Sequence, residues 1–198
     1  KSLSVMSVEI ISCSYQDVEE WVNILGQDIL EDDSFTPEVI VSIAGGGLIP
    51  ARLLRNHLKI PIFTINMKLY EGIGKRKDEV SILQGLDDMA KNFIRDKKVL
   101  IVDEIHDSGK TMNEAIQLIS EIVPFENIGY AVLHYKCISK HCNSEENKTT
   151  RCYQHWYAAK FIYNEWIIYP WSEDFPTTKE SNDDVKDKTS NQKGCCVC

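Results

Sequence analysis

The sequence has no apolar run approaching the ~20 residues that a membrane-spanning helix needs, so we predict no transmembrane segment. Its first residues lack the long apolar stretch of a secretory signal peptide, and we expect none. Basic residues are too few for a nucleic-acid-binding protein, since 22 Lys and Arg face 30 Asp and Glu, a net charge of −8. No internal repeat is visible. The 198 residues, 43% of them hydrophobic, fit one soluble α/β domain with a modest appendage.

The cysteines do not have the pattern of a disulfide framework, because their number, seven, is odd and three lie within the last four residues. We therefore expect a reduced, cytoplasmic protein. The chain from 172 onward is polar and charged, so a flexible tail, 172–198, is predicted to follow a single domain, 1–171. The segment 137–155 is an insertion containing Cys and His. A polar surface loop is favoured there, with a zinc site as the alternative, because the spacing fits no strong pattern.

Strand and helix patterns alternate through the predicted domain. Short, mostly apolar segments typical of buried parallel strands lie at 38–44, 60–66, 99–102, 127–134 and 158–163. Helices are predicted at 15–30, 48–58 and 111–122. The polar stretch 71–96 is predicted to be mobile. This order favours an α/β fold with a mostly parallel central sheet flanked by helices.

The segment 99–111, VLIVDEIHDSGKT, carries the clearest chemistry. Ligands of an open α/β sheet bind outside the carboxyl ends of its strands, where Asp103 and Glu104 are expected. Adjacent carboxylates repel each other unless they meet a cation or hydroxyl donors, so a vicinal diol or Mg²⁺ is the expected partner. The turn into the next helix suits a phosphate and contains Asp107, Ser108, Gly109, Lys110 and Thr111. Together the acids and the turn indicate a ribose 5-phosphate site.

Three other interpretations of these glycines and acids exist. A nucleotide-binding P-loop is excluded, because it needs glycine where this chain has Glu104. A dinucleotide fingerprint at 45–50 is weak, because Pro50 replaces its last glycine and no ribose-binding acid follows on a strand end. From the residues alone, Asp103 and Glu104 could also be a solvated strand end, with Asp107 as a helix cap.

The segment 99–111 resembles the phosphoribosyl-pyrophosphate loop of the type I phosphoribosyltransferases. That loop has four apolar residues, two acids, two variable residues and then Asp-Thr/Ser-Gly-x-Thr. The segment 42–52 is similar to the pyrophosphate loop of the family's xanthine–guanine enzymes. The resemblance implies that pyrophosphate is held by the backbone of Gly45, Gly46 and Gly47.

Two further segments resemble the purine site of that family. The segment 131–136 is similar to a strand whose terminal lysine, here Lys136, reads the 6-oxo group of the base. The segment 164–171 is similar to a base-binding turn, in which Trp166 would stack on the purine and the backbone of Ile167 would bond the ring edge. An aromatic face with one cationic donor is a sensible receptor for a purine.

The resemblance also assigns roles in catalysis. Asp107 is the candidate general base, and Mg²⁺, the expected cofactor, would be held by Asp103 and Glu104 directly or through water. The segment 67–92 resembles a flexible hood, whose basic run at 75–77 could meet pyrophosphate. A homo-oligomer, dimer or tetramer, is expected.

The implied activity is transfer of ribose 5-phosphate from phosphoribosyl pyrophosphate to guanine, hypoxanthine or xanthine, which gives the nucleoside monophosphate and pyrophosphate. The alternative is a non-catalytic regulator of the same fold that senses phosphoribosyl pyrophosphate or a purine. A pyrimidine enzyme is a third, weaker alternative, disfavoured by the turn around Trp166.

The closing residues, CCVC, fit two prenylation patterns. Cys195 would be the lipidated residue of a C-a-a-X box, whereas Cys196 and Cys198 resemble the double-cysteine ending of Rab-type small GTPases. Either modification would attach the protein to a membrane surface without a membrane span, and firm attachment would need two lipids. An unmodified terminus is the alternative.

Overall fold

The computed structural model describes residues 9–72, 75–137, 154–163 and 165–172. The strands are β1 (Glu9–Ser12), β2 (Val39–Ile43), β3 (Ile62–Gly72), β4 (Lys75–Gln84), β5 (Val99–His106), β6 (Ile128–Lys136), β7 (His155–Ile162) and β8 (Glu165–Ile168). The helices are α1 (Tyr15–Glu31), α2 (Leu48–Leu58), α3 (Asp88–Ile94) and α4 (Lys110–Ser120). Along the described part of the chain, strands and helices alternate from β1 to β3 and from α3 to β6, as the sequence pattern predicts, whereas β4 follows β3 directly and β6, β7 and β8 are consecutive strands.

The central sheet has six strands in the order β4-β3-β2-β5-β6-β7. Neighbouring strands from β3 to β7 in this order are parallel, and β4 pairs antiparallel with β3 at the edge. The strands β1 and β8 form a separate parallel pair. The predicted α/β fold with a mostly parallel sheet is therefore confirmed.

The helices bury both faces of the central sheet. Alternate residues of β5 point to opposite faces, so Val99 and Ile101 join a cluster with α3 and α4, whereas Leu100 and Val102 join a cluster with α1 and α2. All four side chains are fully buried. A strand covered on both faces needs apolar residues on both of them, which explains the uninterrupted apolar run at 99–102 in the sequence.

The strand β5 extends four residues beyond its predicted end at 102. Its neighbour β2 stops pairing at Ser42, opposite Val102, whereas β6 continues to pair with β5 as far as His106. Asp103 and Glu104 therefore belong to a strand that overhangs β2, and not to the loop after it. This overhang opens one side of the acidic pair toward the loop between β2 and α2.

Most of the polar stretch 71–96, which the sequence predicts to be mobile, is regular structure formed by β4 and α3. The spacing of Ala90 and Ile94 places both on one face of α3, where they are buried in the core. Asp87 caps the helix, because its carboxylate accepts a hydrogen bond from the Ala90 N–H at 2.7 Å. The basic side chains at 75–77 are not among those described, so their predicted contact with pyrophosphate stays a prediction.

The short strands β1 and β8 do not follow from the sequence pattern. The β1 side chains are exposed, so they lack the apolar signature of a buried strand. The base-binding turn predicted at 164–171 is in fact a strand, β8, followed by a turn that closes when the Ser172 N–H donates to the Tyr169 carbonyl at 2.9 Å.

Several predictions concern residues outside the described part of the chain. These are residues 138–153 of the insertion and the tail from 173, including Cys195, Cys196 and Cys198. Among the described cysteines, Cys13 is a buried free thiol, whereas Cys137 is disulfide-bonded, so the expectation of reduced cysteines does not hold for Cys137. No helix in the described ranges is long and apolar enough to cross a membrane.

Candidate active site

A pocket of about 230 Å³ opens at the carboxyl ends of β2 and β5. Its walls are the segments 43–46 and 103–112, together with Met67. The structure therefore brings together most of the residues predicted from two separate motifs. Gly45, Gly46 and the whole acidic loop from Asp103 to Thr111 line one cavity, and Gly47 follows directly as the N-cap of α2.

Two helices begin at this pocket without a side-chain cap. Gly47 is the N-cap of α2 and Gly109 is the N-cap of α4, and neither helix start is closed by a side-chain hydrogen bond. By contrast, α1 is capped by Ser14 and α3 by Asp87, both away from the pocket. The first N–H groups of a helix need acceptors, and its N-terminus carries partial positive charge. Both ends can therefore receive an anion, one on each side of the pocket.

The acidic pair lies between these helix starts and is largely shielded from water. Asp103 is only 9% exposed, and its Oδ1 accepts a hydrogen bond from the Glu104 N–H at 2.9 Å. Burial raises the pKa of both carboxyl groups, and the charge of Glu104 raises that of Asp103 further. Oε2 of Glu104 is buried and has no hydrogen-bond partner among the described residues. The charged form of this pair is therefore costly in the fold.

The Glu104 carboxylate contacts the glycine loop across the pocket. A Cβ atom on Gly46 would lie 1.1 Å from Oε2 of Glu104, so only glycine leaves room for the carboxylate in this position. A Cβ atom on Gly47 would instead lie 2.5 Å from the Val102 carbonyl oxygen and 2.7 Å from that of Ile43. Gly46 therefore leaves room for the Glu104 side chain, whereas Gly47 allows the backbone segments to pack closely.

The predicted general base and the predicted base-reading lysine form an ion pair. Nζ of Lys136, at the end of β6, lies 3.3 Å from Oδ1 of Asp107, and both side chains are partly exposed. The pair therefore places a hydrogen-bond acceptor and a hydrogen-bond donor side by side at the turn into α4.

Trp166 and Ile167 lie on β8, and neither belongs to the walls of the pocket. Trp166 pairs in register with Ile10 of β1 and is 47% exposed, which leaves its ring accessible to a ligand. Tyr169, the residue directly after β8, links this strand to the acidic pair, because its hydroxyl donates to the Glu104 carbonyl oxygen at 3.0 Å.

Sequence reasoning missed three residues at this site. Met67 and His106 line the pocket, and the His106 ring stacks on Tyr135 with a centroid distance of 4.5 Å. Tyr169 contacts the acidic pair from outside the pocket walls. Tyr169 lies inside the segment 164–171, but a hydrogen bond to a carbonyl 65 residues earlier leaves no signal in a single sequence.

The carboxylate oxygens of the acidic pair fit a magnesium ion better than a metal site formed entirely by protein ligands. No cluster of three or more His, Cys, Asp or Glu ligands occurs among the described side chains. Mg²⁺ prefers oxygen ligands, keeps several waters and is commonly held by one or two carboxylates together with substrate phosphates. The unpartnered Oε2 of Glu104 beside two anion-accepting helix ends matches that requirement.

Comparison with known proteins gives consistent results. Residues 11–165 match the family model described as phosphoribosyl transferase domain. The chain is 32% identical over 185 residues to xanthine phosphoribosyltransferase 1 of Saccharomyces cerevisiae, covering 80% of this chain and 87% of that protein. It is 30% identical over 194 residues to the hypoxanthine-guanine phosphoribosyltransferase of the same yeast, covering 80% and 83%. A purine phosphoribosyltransferase from Pyrococcus horikoshii superposes with a TM-score of 0.62 at 28% identity, covering 86% of this chain and 99% of that one.

Alanine substitutions of Gly46 and Gly47 should distinguish the roles of these two glycines. We expect Gly47→Ala to lower the free energy of unfolding by ~1–3 kcal/mol, because its methyl group meets backbone oxygens that cannot move aside. Gly46→Ala should cost much less, because the Glu104 side chain can rotate away. Thermal unfolding checks both, with Gly85→Ala as the control, since nothing lies within 4 Å of its added Cβ. Equal destabilisation at positions 46 and 47 would contradict the assignment.

Neutralising Glu104 should stabilise the protein at high pH. A carboxyl pKa raised by folding means that the folded state favours the protonated form, so stability falls as the pH rises from about 4 through the raised values. Above that window the full cost of the buried charges remains. We therefore expect Glu104→Gln to raise Tm by ~2–4 °C at pH 8, for a gain of ~1 kcal/mol, and by less near pH 4.

Differential scanning calorimetry without divalent cations measures this difference. Glu19→Gln, the same change on an exposed position of α1, serves as the control and should leave Tm unchanged at both pH values. A Glu104→Gln variant that is less stable than the wild type at pH 8 would show that the carboxylate is satisfied in the fold.

Proposed function

Because the chain belongs to the phosphoribosyl transferase domain family, we propose that it transfers the 5-phosphoribosyl group of phosphoribosyl pyrophosphate to a 6-oxopurine. The products are a nucleoside monophosphate and pyrophosphate. The names of its yeast relatives cover xanthine, hypoxanthine and guanine, and these three bases are the proposed acceptors. The activity belongs to purine salvage, the reuse of free bases for nucleotide synthesis.

One observation carries the proposal, namely the pair of uncapped helix starts on either side of a buried carboxylate pair. Phosphoribosyl pyrophosphate has the matching sequence of groups: a pyrophosphate, a sugar with a vicinal diol, and a 5-phosphate. The start of α2 is assigned to the pyrophosphate through Gly45, Gly46 and Gly47, and the start of α4 to the 5-phosphate. Asp103 and Glu104 then lie beside the ribose hydroxyls.

The 5-phosphate cradle is proposed to consist of the turn into α4. The donors to the phosphate oxygens would be the backbone N–H groups of Ser108, Gly109, Lys110 and Thr111. The hydroxyl groups of Ser108 and Thr111 and the positive end of α4 would add to this binding. Gly109 has a φ of 77°, a conformation that a residue with a side chain rarely adopts, so this turn depends on glycine.

Magnesium is the proposed cofactor, held by Asp103 and Glu104 directly or through water. When bound, it would screen the negative charge of the pyrophosphate leaving group. The protein's own contribution is the pair of carboxyl groups, whose pKa values are raised by burial and which a cation would return to the charged form. Gly46→Ala, which displaces Glu104, should therefore lower activity much more than stability.

The purine is proposed to lie between the end of β6 and the exposed ring of Trp166. Lys136 would donate to the 6-oxo group, Ile167 would bond the ring edge through its backbone, and Trp166 would stack on the base. Asp107 is the proposed general base, which accepts the proton from the ring nitrogen as that nitrogen attacks the ribose anomeric carbon. Its ion pair with Lys136 holds the carboxylate beside the group proposed to orient the base.

Three further features remain proposals. A hood over the site, built from 67–92, would exclude water during transfer. The protein is proposed to form a homo-oligomer. Lipidation at Cys195, Cys196 or Cys198 would attach an otherwise cytoplasmic enzyme to a membrane surface.

A screen of bases tests the proposed function. Full-length protein is incubated with phosphoribosyl pyrophosphate and Mg²⁺ together with guanine, hypoxanthine, xanthine or, as a pyrimidine control, uracil. We expect base-dependent release of pyrophosphate with at least one purine and none with uracil. Binding of phosphoribosyl pyrophosphate without turnover on any base would instead indicate the regulator.

Asp107→Asn tests the assignment of the general base. The amide cannot accept the proton, so we expect kcat to fall by about 10²-fold or more, whereas the Kd for phosphoribosyl pyrophosphate stays close to the wild-type value. Steady-state kinetics and calorimetric titration measure the two quantities. Asp96→Asn, the same change at an exposed position away from the pocket, is the control. Full turnover in Asp107→Asn would remove Asp107 from the mechanism.

A further inference from the structure

Tyr169 and His134 form a buried hydrogen-bonded relay that ends on the backbone of the acidic pair. The Tyr169 hydroxyl donates to the Glu104 carbonyl oxygen at 3.0 Å, and Nδ1 of His134 lies 2.7 Å from the same hydroxyl. A tyrosine hydroxyl has one proton, and a carbonyl oxygen can only accept. Nδ1 of His134 must therefore carry a hydrogen and donate to the tyrosine oxygen. The direction of the whole relay, from His134 through Tyr169 to Glu104, is thus fixed.

Burial keeps both residues of the relay in these roles. His134 is 2% exposed and Tyr169 is 4% exposed. Burial lowers the pKa of His134 to about 4, with Lys160 lowering it further and Glu165 opposing, so the imidazole is neutral at physiological pH. Burial, followed by Glu104, Cys13 and Asp103, raises the pKa of Tyr169 well above its usual value, so the hydroxyl keeps its proton.

Ring contacts fix the orientation of the relay. The Trp21 and His134 rings meet edge to face, with centroids 4.5 Å apart and an interplanar angle of 80°. The Tyr169 ring stacks on that of Trp171, with centroids 4.9 Å apart and an interplanar angle of 9°. Neither ring can turn away from its hydrogen bond without breaking a packed contact.

The same relay is continuous with the strand that is proposed to bind the purine. Tyr169 directly follows β8, which carries Trp166 and Ile167. The strand is held by pairing with β1 and by the Ile168 carbonyl, which accepts from the Cys13 N–H at 3.0 Å. A base that shifts β8 on binding would therefore shift the Tyr169 hydroxyl, and with it the Glu104 peptide to which that hydroxyl donates.

The position of that peptide matters because its side chain is part of the pocket. The Glu104 carboxylate fills the space above Gly46. A rotation of the Glu104 peptide would therefore move this carboxylate relative to the glycine loop. We propose that Tyr169, oriented by His134, is a positioning residue that couples occupation of the purine site to the geometry of the acidic pair. The inference rests on the proposed function and assigns to that site an energetic coupling between its two substrates.

The ratio of two dissociation constants measures this coupling. Calorimetry gives the Kd of phosphoribosyl pyrophosphate with Mg²⁺, alone and with saturating 9-deazaguanine, in which carbon replaces the nucleophilic ring nitrogen. We expect the analogue to tighten binding by at least about fivefold in the wild-type protein. In Tyr169→Phe, which removes only the hydroxyl, the analogue should change the Kd by less than about twofold, because the two sites are no longer linked.

A second buried tyrosine supplies the matched control. Tyr157 lies on β7, outside the pocket walls. Its hydroxyl donates to Oδ2 of Asp32 at 2.8 Å. Tyr157→Phe removes an equivalent buried hydroxyl, so it should cost stability as Tyr169→Phe does, yet leave the Kd ratio at the wild-type value. A general loss of stability alone would not distinguish the two variants, whereas the ratio does.

Two substitutions of His134 test the relay without changing Tyr169. They can be measured even if Tyr169→Phe fails to fold. In His134→Asn the amide N–H can take the place of Nδ1 as donor to Tyr169, so the coupling should be retained, whereas His134→Leu should lose it. The proposal is overturned if the wild-type ratio is one, or if it is unchanged in Tyr169→Phe or His134→Leu. Since the base screen tests turnover separately, an active enzyme with an unchanged ratio would refute the coupling and leave the proposed function intact.

Discussion

Two adjacent carboxyl groups that are buried side by side are the constraint on which the rest of the site depends. Asp103 and Glu104 continue β5 beyond the point where β2 stops, so they are shielded by the fold yet open toward the loop before α2. Their charges are costly there, since burial and mutual repulsion both favour the protonated forms. A ligand that brings a cation and hydroxyl donors removes this cost. On the proposed function, binding of such a ligand would relieve this local cost.

The surrounding elements can be understood as accommodation of that pair. Gly46 leaves space for the Glu104 carboxylate, and the uncapped starts of α2 and α4 offer N–H donors on both sides. The backbone of Glu104 is held from behind by Tyr169. Electrostatic preorganisation of this kind, with the N–H donors of two helix starts already in place, is an effective way to stabilise a developing negative charge. The transfer from phosphoribosyl pyrophosphate to a purine requires it at the leaving pyrophosphate.

Much of the fold and of the central site was predictable from the sequence, for a physical reason. Buried parallel strands such as β2 and β5 are mostly apolar, and the acids that interrupt this pattern in β5 mark the sheet edge at which ligands of open α/β sheets bind. Residues joined by distant contacts were not predictable. The strands β1 and β8 have only four residues each, and β1 lacks buried side chains, so neither has a periodic signature. The approach of Glu104 to Gly46 and of Tyr169 to Glu104 depends on the assembled sheet and leaves no mark in either segment alone.

The dependence of substrate binding on magnesium and on the acidic pair tests the central claim most directly. Titration calorimetry of phosphoribosyl pyrophosphate should show binding with Mg²⁺ that weakens by at least about tenfold, or 1.4 kcal/mol, when the metal is chelated. In the double variant Asp103→Asn, Glu104→Gln, we expect the weak Kd whether or not Mg²⁺ is present. Equally strong binding by both proteins, with and without metal, would contradict the role assigned to the two carboxylates.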